Sequence, residues 1–154
     1  MENTISFITK FGWVNISEID KKISSIRFGK KQKKGRANQT LKSASINIKR
    51  YLAGKNKKII IPLRITGNKY QLKIWHELRK IKRGSTKTYG EIAKKLKLSP
   101  RHVGKVCGQN QHLLAIPCHR VIGSNGKLVG FSAKGGVGIK KKLLDFEKLN
   151  FLAR

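Results

Sequence analysis

The stretch "IPCHRVI" at 116–122 sets a cysteine, Cys118, beside a histidine, His119, between apolar residues and just after Pro117. A thiolate is the nucleophilic form of cysteine, and a free thiol is mostly protonated near neutral pH, so an adjacent imidazole is a candidate to take its proton. Neighbouring residues of an extended strand point to opposite faces, so contact between these two side chains requires a turn or an intervening water. Pro117 favours an irregular backbone here. A histidine base is commonly oriented by a carboxylate. The chain has only seven acidic residues, and Glu147 stands out among them, because it follows Leu143 and Leu144 at helical spacing. That places it at the edge of the apolar face of a C-terminal helix. A carboxylate turned toward a core needs a polar partner.

The same residues have quieter readings. A cysteine in an apolar stretch is most often a small core side chain. His119 is then a core histidine with satisfied hydrogen bonds, and Glu147 a surface partner of Lys140 or Lys148. Cys107, His112, Cys118 and His119 can also be read as a metal set. Their spacing matches no common zinc pattern, however, and ligands at 118 and 119 would diverge.

The elements that must position these residues fall into two halves. Residues 4–28 read as three short strands, "TISFITK", "GWVNIS" and "KISSIRFG", each with period-two alternation or a turn before it. "KKQKKGR" at 30–36 reads as a basic connecting loop. A helix follows, with Leu41, Ala44, Ile48 and Leu52 on one face and Gly54 as its stop. "KKIIIPL" reads as a strand ended by Pro62, and "RITGN" as a linker into the next helix. That helix carries Tyr70, Ile74, Trp75, Leu78 and Ile81 on an apolar stripe and closes at Gly84. "TYGEIAKKLKL" and "SPRHVGKVCGQN" then form two short helices, the second opening on a Ser99 cap and Pro100. Two such helices, the second basic at its start, make a helix-turn-helix pattern, which many helical hairpins share without binding DNA. Asn125–Gly126 signals a hairpin, and a last helix places Ile139, Leu143 and Phe146 on one side. The expected division is 1–62 for a sheet-plus-helix domain and 63–154 for a mainly helical one.

Thirty-six Lys and Arg against seven Asp and Glu give a net charge of +29. Such a field draws in polyanions, nucleic acid first and an anionic membrane surface second. Biased codon usage in an AT-rich genome is the alternative source of such a lysine excess. No run of apolar residues is long enough to span a bilayer. The N-terminus lacks the pattern of a secretory signal, and two cysteines make no disulfide framework. The expectation is an intracellular, reducing compartment.

"IPCHRVI", followed by Phe131, Ser132 and the closing "LLDFE", resembles the O6-alkylguanine-DNA alkyltransferases, or methylated-DNA–protein-cysteine methyltransferases. The resemblance runs from about Tyr70 to Leu149 and has its parts in order: "YQLKIWHELRKI", "TYGEIAKKL", "SPRHVGKV" and "NQHLLAIPCHRV". It implies an α+β fold, with a ribonuclease-H-like N-terminal domain and a C-terminal domain holding the helix-turn-helix and the reactive cysteine. It also implies a role for each residue. Cys118 would accept the alkyl group, His119 would act on the thiol through a water, Glu147 would hold the histidine, and Asn110 would bond the turn or the thiol's surroundings. Tyr89 would face the target nucleotide. Arg101 would enter the duplex where the base had been. Gly90, Ser99, Gly104, Lys105 and Ser124 would contact DNA, and Ser132, Phe131 and Val121 would line the base pocket.

The activity so implied is transfer of a methyl group from O6-methylguanine, and from O4-methylthymine, to Cys118. It occurs once per protein, after the base is flipped out through the minor groove, with no cofactor and no metal. The partner is double-stranded DNA carrying O6-alkylguanine, the protein is expected to be a monomer of a prokaryotic cytosol, most readily archaeal from the form of "SPRHVGKV", and no membrane is involved. Departures from the family pattern lie at Lys82, Arg83 and Ser85, at Phe131 where Tyr is usual, and in "AKGG". Two rival readings are a lesion-binding relative that does not react, which Cys118 argues against, and a cysteine hydrolase. The hydrolase would need an oxyanion hole and leaves Arg101 unexplained.

Overall fold

The structure, a computed structural model, describes residues 1–129 and 136–152. It packs as two units. The first comprises 1–65 and 111–115; the second comprises 66–110 and the chain from 116 onward.

In the first unit, three strands form an antiparallel sheet in the order β1 (Asn3–Thr9), β2 (Gly12–Ile19), β3 (Lys22–Phe28). The register pairs Ile5 with Ile16, Phe7 with Val14 and Ile16 with Ile26, so one face is apolar. Helix α1 (Gln39–Leu52) covers that face with Leu41, Ala44 and Ile48, all buried. Asn38 caps α1, its side chain accepting from Leu41 N at 3.0 Å. The other face carries Thr4, Ser6, Asn15, Ser17 and Ser25 and is polar, as strict alternation requires.

Two expectations change here. "KKIIIPL" is not a strand. Only its end touches the sheet, as a single parallel bridge of Leu63 to Ile23 with Ile23 N donating to Pro62 O at 2.7 Å. Pro62 has no N–H to continue a ladder, and Ile60 is left exposed. The linear division at 62/63 also omits the segment 111–115, which returns to β3. Ile26 N donates to Gln111 O at 2.8 Å and Leu113 N to Ile26 O at 3.1 Å, while a ring nitrogen of His112 lies 2.9 Å from Ile23 O. These bonds join residues far apart in sequence and leave no local pattern.

The second unit is mainly helical. Helix α2 (Lys69–Leu78) starts from a reciprocal capping box of Asn68 and Gln71 and buries Ile74, Trp75 and Leu78. It stops at Leu78 rather than running on toward Gly84, and Ile81 is buried from the turn that follows. Trp75 Nε1 donates to Val106 O at 3.3 Å. Strand β4 (Lys87–Thr88) leads into α3 (Tyr89–Leu96), again through a capping box, Thr88 with Glu91. Lys97, in the left-handed region at φ 59°, ends α3. Ser99 then caps α4 (Pro100–Gly108), accepting from His102 N at 3.1 Å. A short 3-10 turn (Cys118–Arg120) runs into β5 (Val121–Ile122), which pairs in parallel with β4. The Asn125–Gly126 turn forms, with Gly123 N donating to Lys127 O at 2.8 Å, but no second strand follows it among the described residues. Helix α5 (Gly136–Leu152) buries Lys140, Leu143, Phe146 and Glu147. Among the described residues no helix is long and apolar enough to cross a membrane.

Candidate active site

Cys118 opens the 3-10 turn rather than lying on a strand, with Pro117 before it at φ −81° and ψ 63°. The turn removes the objection that adjacent side chains must diverge. The thiol is 4% exposed. Burial pushes its pKa up, while a hydrogen bond from Asn110 and the charge of Lys140 pull the other way. Asn110 Nδ2 lies 2.8 Å from Ile116 O and 3.3 Å from Cys118 Sγ, so one amide group fixes both the backbone of the turn and the sulfur.

Behind the thiol stands a fully buried ion cluster. His119 Nε2 lies 3.0 Å from Glu147 Oε2. The carboxylate accepts, so the Nε2 proton is assigned to that bond and Nδ1 keeps its lone pair. Nδ1 is buried and has no hydrogen-bond partner among the described residues. Glu147 is gripped a second time, by Arg120, whose Nε donates to Oε1 at 3.0 Å and Nη2 to Oε2 at 2.8 Å. Arg120 Nη1 also donates to Ile81 O at 2.6 Å. Burial opposes the charge of Glu147, but His119 and Arg120 outweigh it and hold the carboxyl well below the usual carboxylate range. Glu147 is fully buried, so its bonds to His119 and Arg120 are made in the core and not on the surface.

Tyr89 and Lys140 form a second polar group. Tyr89, the first residue of α3, donates from its hydroxyl to Val129 O at 3.0 Å. Burial, then Cys107 and Cys118, raises its pKa far above neutrality, so it is a proton-bearing donor. Lys140, fully buried, donates from Nζ to Val129 O at 3.0 Å and to the Tyr89 hydroxyl at 3.4 Å, and lies 5.7 Å from the centre of the Tyr89 ring. Burial lowers its pKa, against the pull of Cys118 and Cys107. Cys107 is a buried thiol pushed up to about 12, chiefly by desolvation, and is therefore inert.

Tyr89, Gly90, Gly104 and Ser124 come together, with Pro100 and Val129, around one largely apolar cleft of about 430 Å³. A Cβ added at Gly104 would meet the Tyr89 ring at 3.8 Å, an ordinary contact that narrows the cleft. Arg101 and Lys105 lie one turn apart on the exposed face of α4. Val121 does not line the cleft: it is fully buried, its strand held against β4. Phe131 and Ser132 lie outside the described residues. No three metal-ligating side chains come together among the described residues.

Sequence reasoning did not single out Arg120, and it named Lys140 only as a surface partner of Glu147. Each was one basic residue among thirty-six. The available signal was position: Arg120 follows His119 directly, and Lys140 lies seven residues, two helical turns, before Glu147.

A buried cysteine, followed by a histidine bonded to a carboxylate, lies in the same unit as two short helices in helix-turn-helix order. Residues 69–149 match the family described as "6-O-methylguanine DNA methyltransferase, DNA binding domain". The chain is 35% identical over 144 residues to the methylated-DNA–protein-cysteine methyltransferase of Metallosphaera sedula, covering 92% of this chain and 90% of that one. It is 41% identical over 110 residues to the inducible protein of that name from Bacillus subtilis, covering 70% of this chain and 60% of its relative. The structure superposes on that of Mycobacterium tuberculosis OGT in complex with DNA with a TM-score of 0.85 at 28% identity, covering 96% of this chain and 93% of the other. The chain belongs to the 6-O-methylguanine DNA methyltransferase family.

Proposed function

We propose that this protein repairs DNA by moving the alkyl group from O6 of a guanine, and from O4-methylthymine, onto its own Cys118. The observation that carries the reading is Cys118 itself. It is a buried thiol bonded by Asn110 and followed by a histidine whose Nε2 is committed to Glu147 while Nδ1 is unpaired among the described residues.

In the proposed step the thiol proton passes to Nδ1 of His119 through a bridging water. The sulfur attacks the methyl carbon, the S–CH3 bond forms and the O6–CH3 bond breaks, and its electron pair stays with guanine. Tyr89 gives the departing base a hydrogen bond or proton, and the ammonium of Lys140 at its hydroxyl favours that release. The departing guanine anion takes up one proton, from Tyr89 or from water, and the proton held by His119 returns through water to that donor, so the balance is a thioether and a neutral guanine. A thioether resists hydrolysis, so the protein reacts once. The methyl carbon is inaccessible in a stacked duplex, so the nucleotide must be extruded, at a cost of a few kcal/mol. The cleft beside Tyr89 and Gly104 is the proposed receiving site, and Arg101 on exposed α4 fills the gap in the duplex. The double-stranded partner, entry from the minor groove and a monomeric protein belong to the same reading, as does the cytosol, where a nucleophilic thiol stays reduced.

The test is to mix the protein with a duplex carrying O6-methylguanine and take the intact mass. The expected result is one added methyl on Cys118, its loss from the DNA and no second turnover. Tight lesion binding by an unmodified protein would instead identify a non-reacting lesion binder.

A further inference from the structure

The face of the N-terminal sheet turned away from α1 has an unusual composition. A covered sheet face is normally apolar, and a bare one normally carries long charged side chains. This one carries short hydroxyl and amide groups. Thr4, Asn15, Ser17 and Ser25 are each less than a tenth exposed, and they form the floor of a polar cleft of about 620 Å³. That volume falls within the range of small-molecule sites, roughly 300–1,000 Å³.

The wall is built by the basic segment 30–36, which its own backbone pins over the sheet. Lys34 N donates to Thr4 O at 3.2 Å and Thr4 N to Lys34 O at 2.7 Å. Asn15 Nδ2 donates to Lys30 O at 2.8 Å, Gln32 N to Ser6 Oγ at 2.7 Å and Arg36 N to Asn3 Oδ1 at 3.0 Å. Backbone atoms do the anchoring, so the lysine side chains are left over. Lys33 and Lys34 line the cleft from this segment, Arg27 from β3 and Gln111 from the returning segment 111–115. Among the described residues none of these four side chains, nor the Ser25 hydroxyl, has a hydrogen bond or ion pair. The one carboxylate in the lining, Glu2, accepts from Ser24 Oγ at 3.0 Å.

Three unpaired cations above a floor of hydroxyls and amides match an oxyanion attached to a hydrogen-bonding body. We infer that this cleft binds a phosphate group carried by a nucleotide or a nucleic-acid strand, as a second site confined to the N-terminal unit. Arg27, Lys33 and Lys34 take the phosphate, while Ser25 and Gln111 bond the sugar or base. The site does not depend on the alkyl-transfer reading, since it shares no residue with the Cys118 machinery.

The experiment uses isotope-labelled full-length protein and follows the backbone amides of Ser25, Gln32, Lys33 and Lys34. The probes are thymidine 5′-monophosphate and an oligothymidylate of roughly eight nucleotides, with sodium chloride at matched ionic strength as the blank. Saturable shifts are expected with the strand. Shifts with the mononucleotide as well would make a free nucleotide sufficient; shifts with the strand alone would make the strand the occupant. In Arg27→Gln/Lys33→Gln/Lys34→Gln the affinity read at these amides should fall at least about tenfold, the loss of one or more charge-assisted bonds. In Lys55→Gln/Lys57→Gln/Lys58→Gln, equal in charge but away from the cleft lining, it should fall less than about threefold. The substituted side chains are exposed and none is a part of the methyl-transfer site, so both variants should fold and keep that activity. Absence of saturable shifts with either probe, or equal losses in the two variants, would overturn the inference.

Discussion

At the scale of single residues, the ion cluster around Glu147 joins chemistry to stability. Glu147 orients His119, but its bidentate bond to Arg120 makes it a structural anchor too. Glu147→Gln should therefore slow methyl transfer and also destabilise the fold, by about 3–5 kcal/mol, because it leaves a buried guanidinium without its charge partner. Chemical denaturation measured beside the transfer rate separates the two losses. The carboxyl's pKa is lowered by folding, so its contribution is fully present above the unfolded value of about 4.3 and is lost as the pH falls toward the depressed folded value. Denaturation midpoints should drop below about pH 4.3, and less steeply in Glu147→Gln. Lys140 offers a complementary test. A cation favours the thiolate, so Lys140→Met should raise the Cys118 pKa and shift the pH–rate profile for methyl transfer to higher pH. Stability should be kept or improved, since an apolar residue replaces a buried charge. An unmoved profile would remove Lys140 from the chemistry.

At the scale of elements, α3, its left-handed end and α4 form a unit whose parts have separable jobs. Arg101 is exposed at the start of α4 and has no hydrogen bond or ion pair among the described residues. Arg101→Ala should therefore slow repair of duplex DNA far more than reaction with free O6-alkylguanine base; equal slowing in both would exclude its role in the duplex. Lys97 adopts a conformation that glycine takes without steric cost. Lys97→Gly should raise stability by up to about 1 kcal/mol, seen as a higher melting temperature. The helices themselves were readable in the sequence because their signals are local: Ser99 before Pro100, Thr88 three residues before Glu91, Asn68 before Gln71. "KKIIIPL" was misread for a local reason as well. Its apolar run has strand composition, but Pro62 and a single bridge to Ile23 leave it unpaired along most of its length.

At the scale of the whole molecule, the excess of cations is spread along the chain rather than gathered on α4. Self-repulsion of this kind weakens as salt screens it. The melting temperature should rise as ionic strength increases from roughly 0.01 M to roughly 0.15 M, over which the screening length falls from about 30 Å to about 8 Å. DNA affinity should fall steeply over the same range, because phosphate contacts release counterions. The two trends have opposite sign, so thermal melts and binding isotherms taken in the same buffers distinguish charge that burdens the fold from charge that holds DNA.

The residues of "IPCHRVI", the order of the helices, the alternation that makes one sheet face apolar and the phase that turns Glu147 inward were all legible without coordinates. Each depends on neighbours within a turn or a strand. Only tertiary structure decided that Arg120 shares Glu147 with His119, that Lys140 is buried against Tyr89 and that residues 111–115 return to β3. It also decided that the polar sheet face closes into a cleft under segment 30–36. These are encounters between positions tens of residues apart. In a chain with thirty-six basic residues, nothing local separates a buried, partnered cation from a solvated one. The difference is made by which surfaces exclude water, and that is a property of the packed chain.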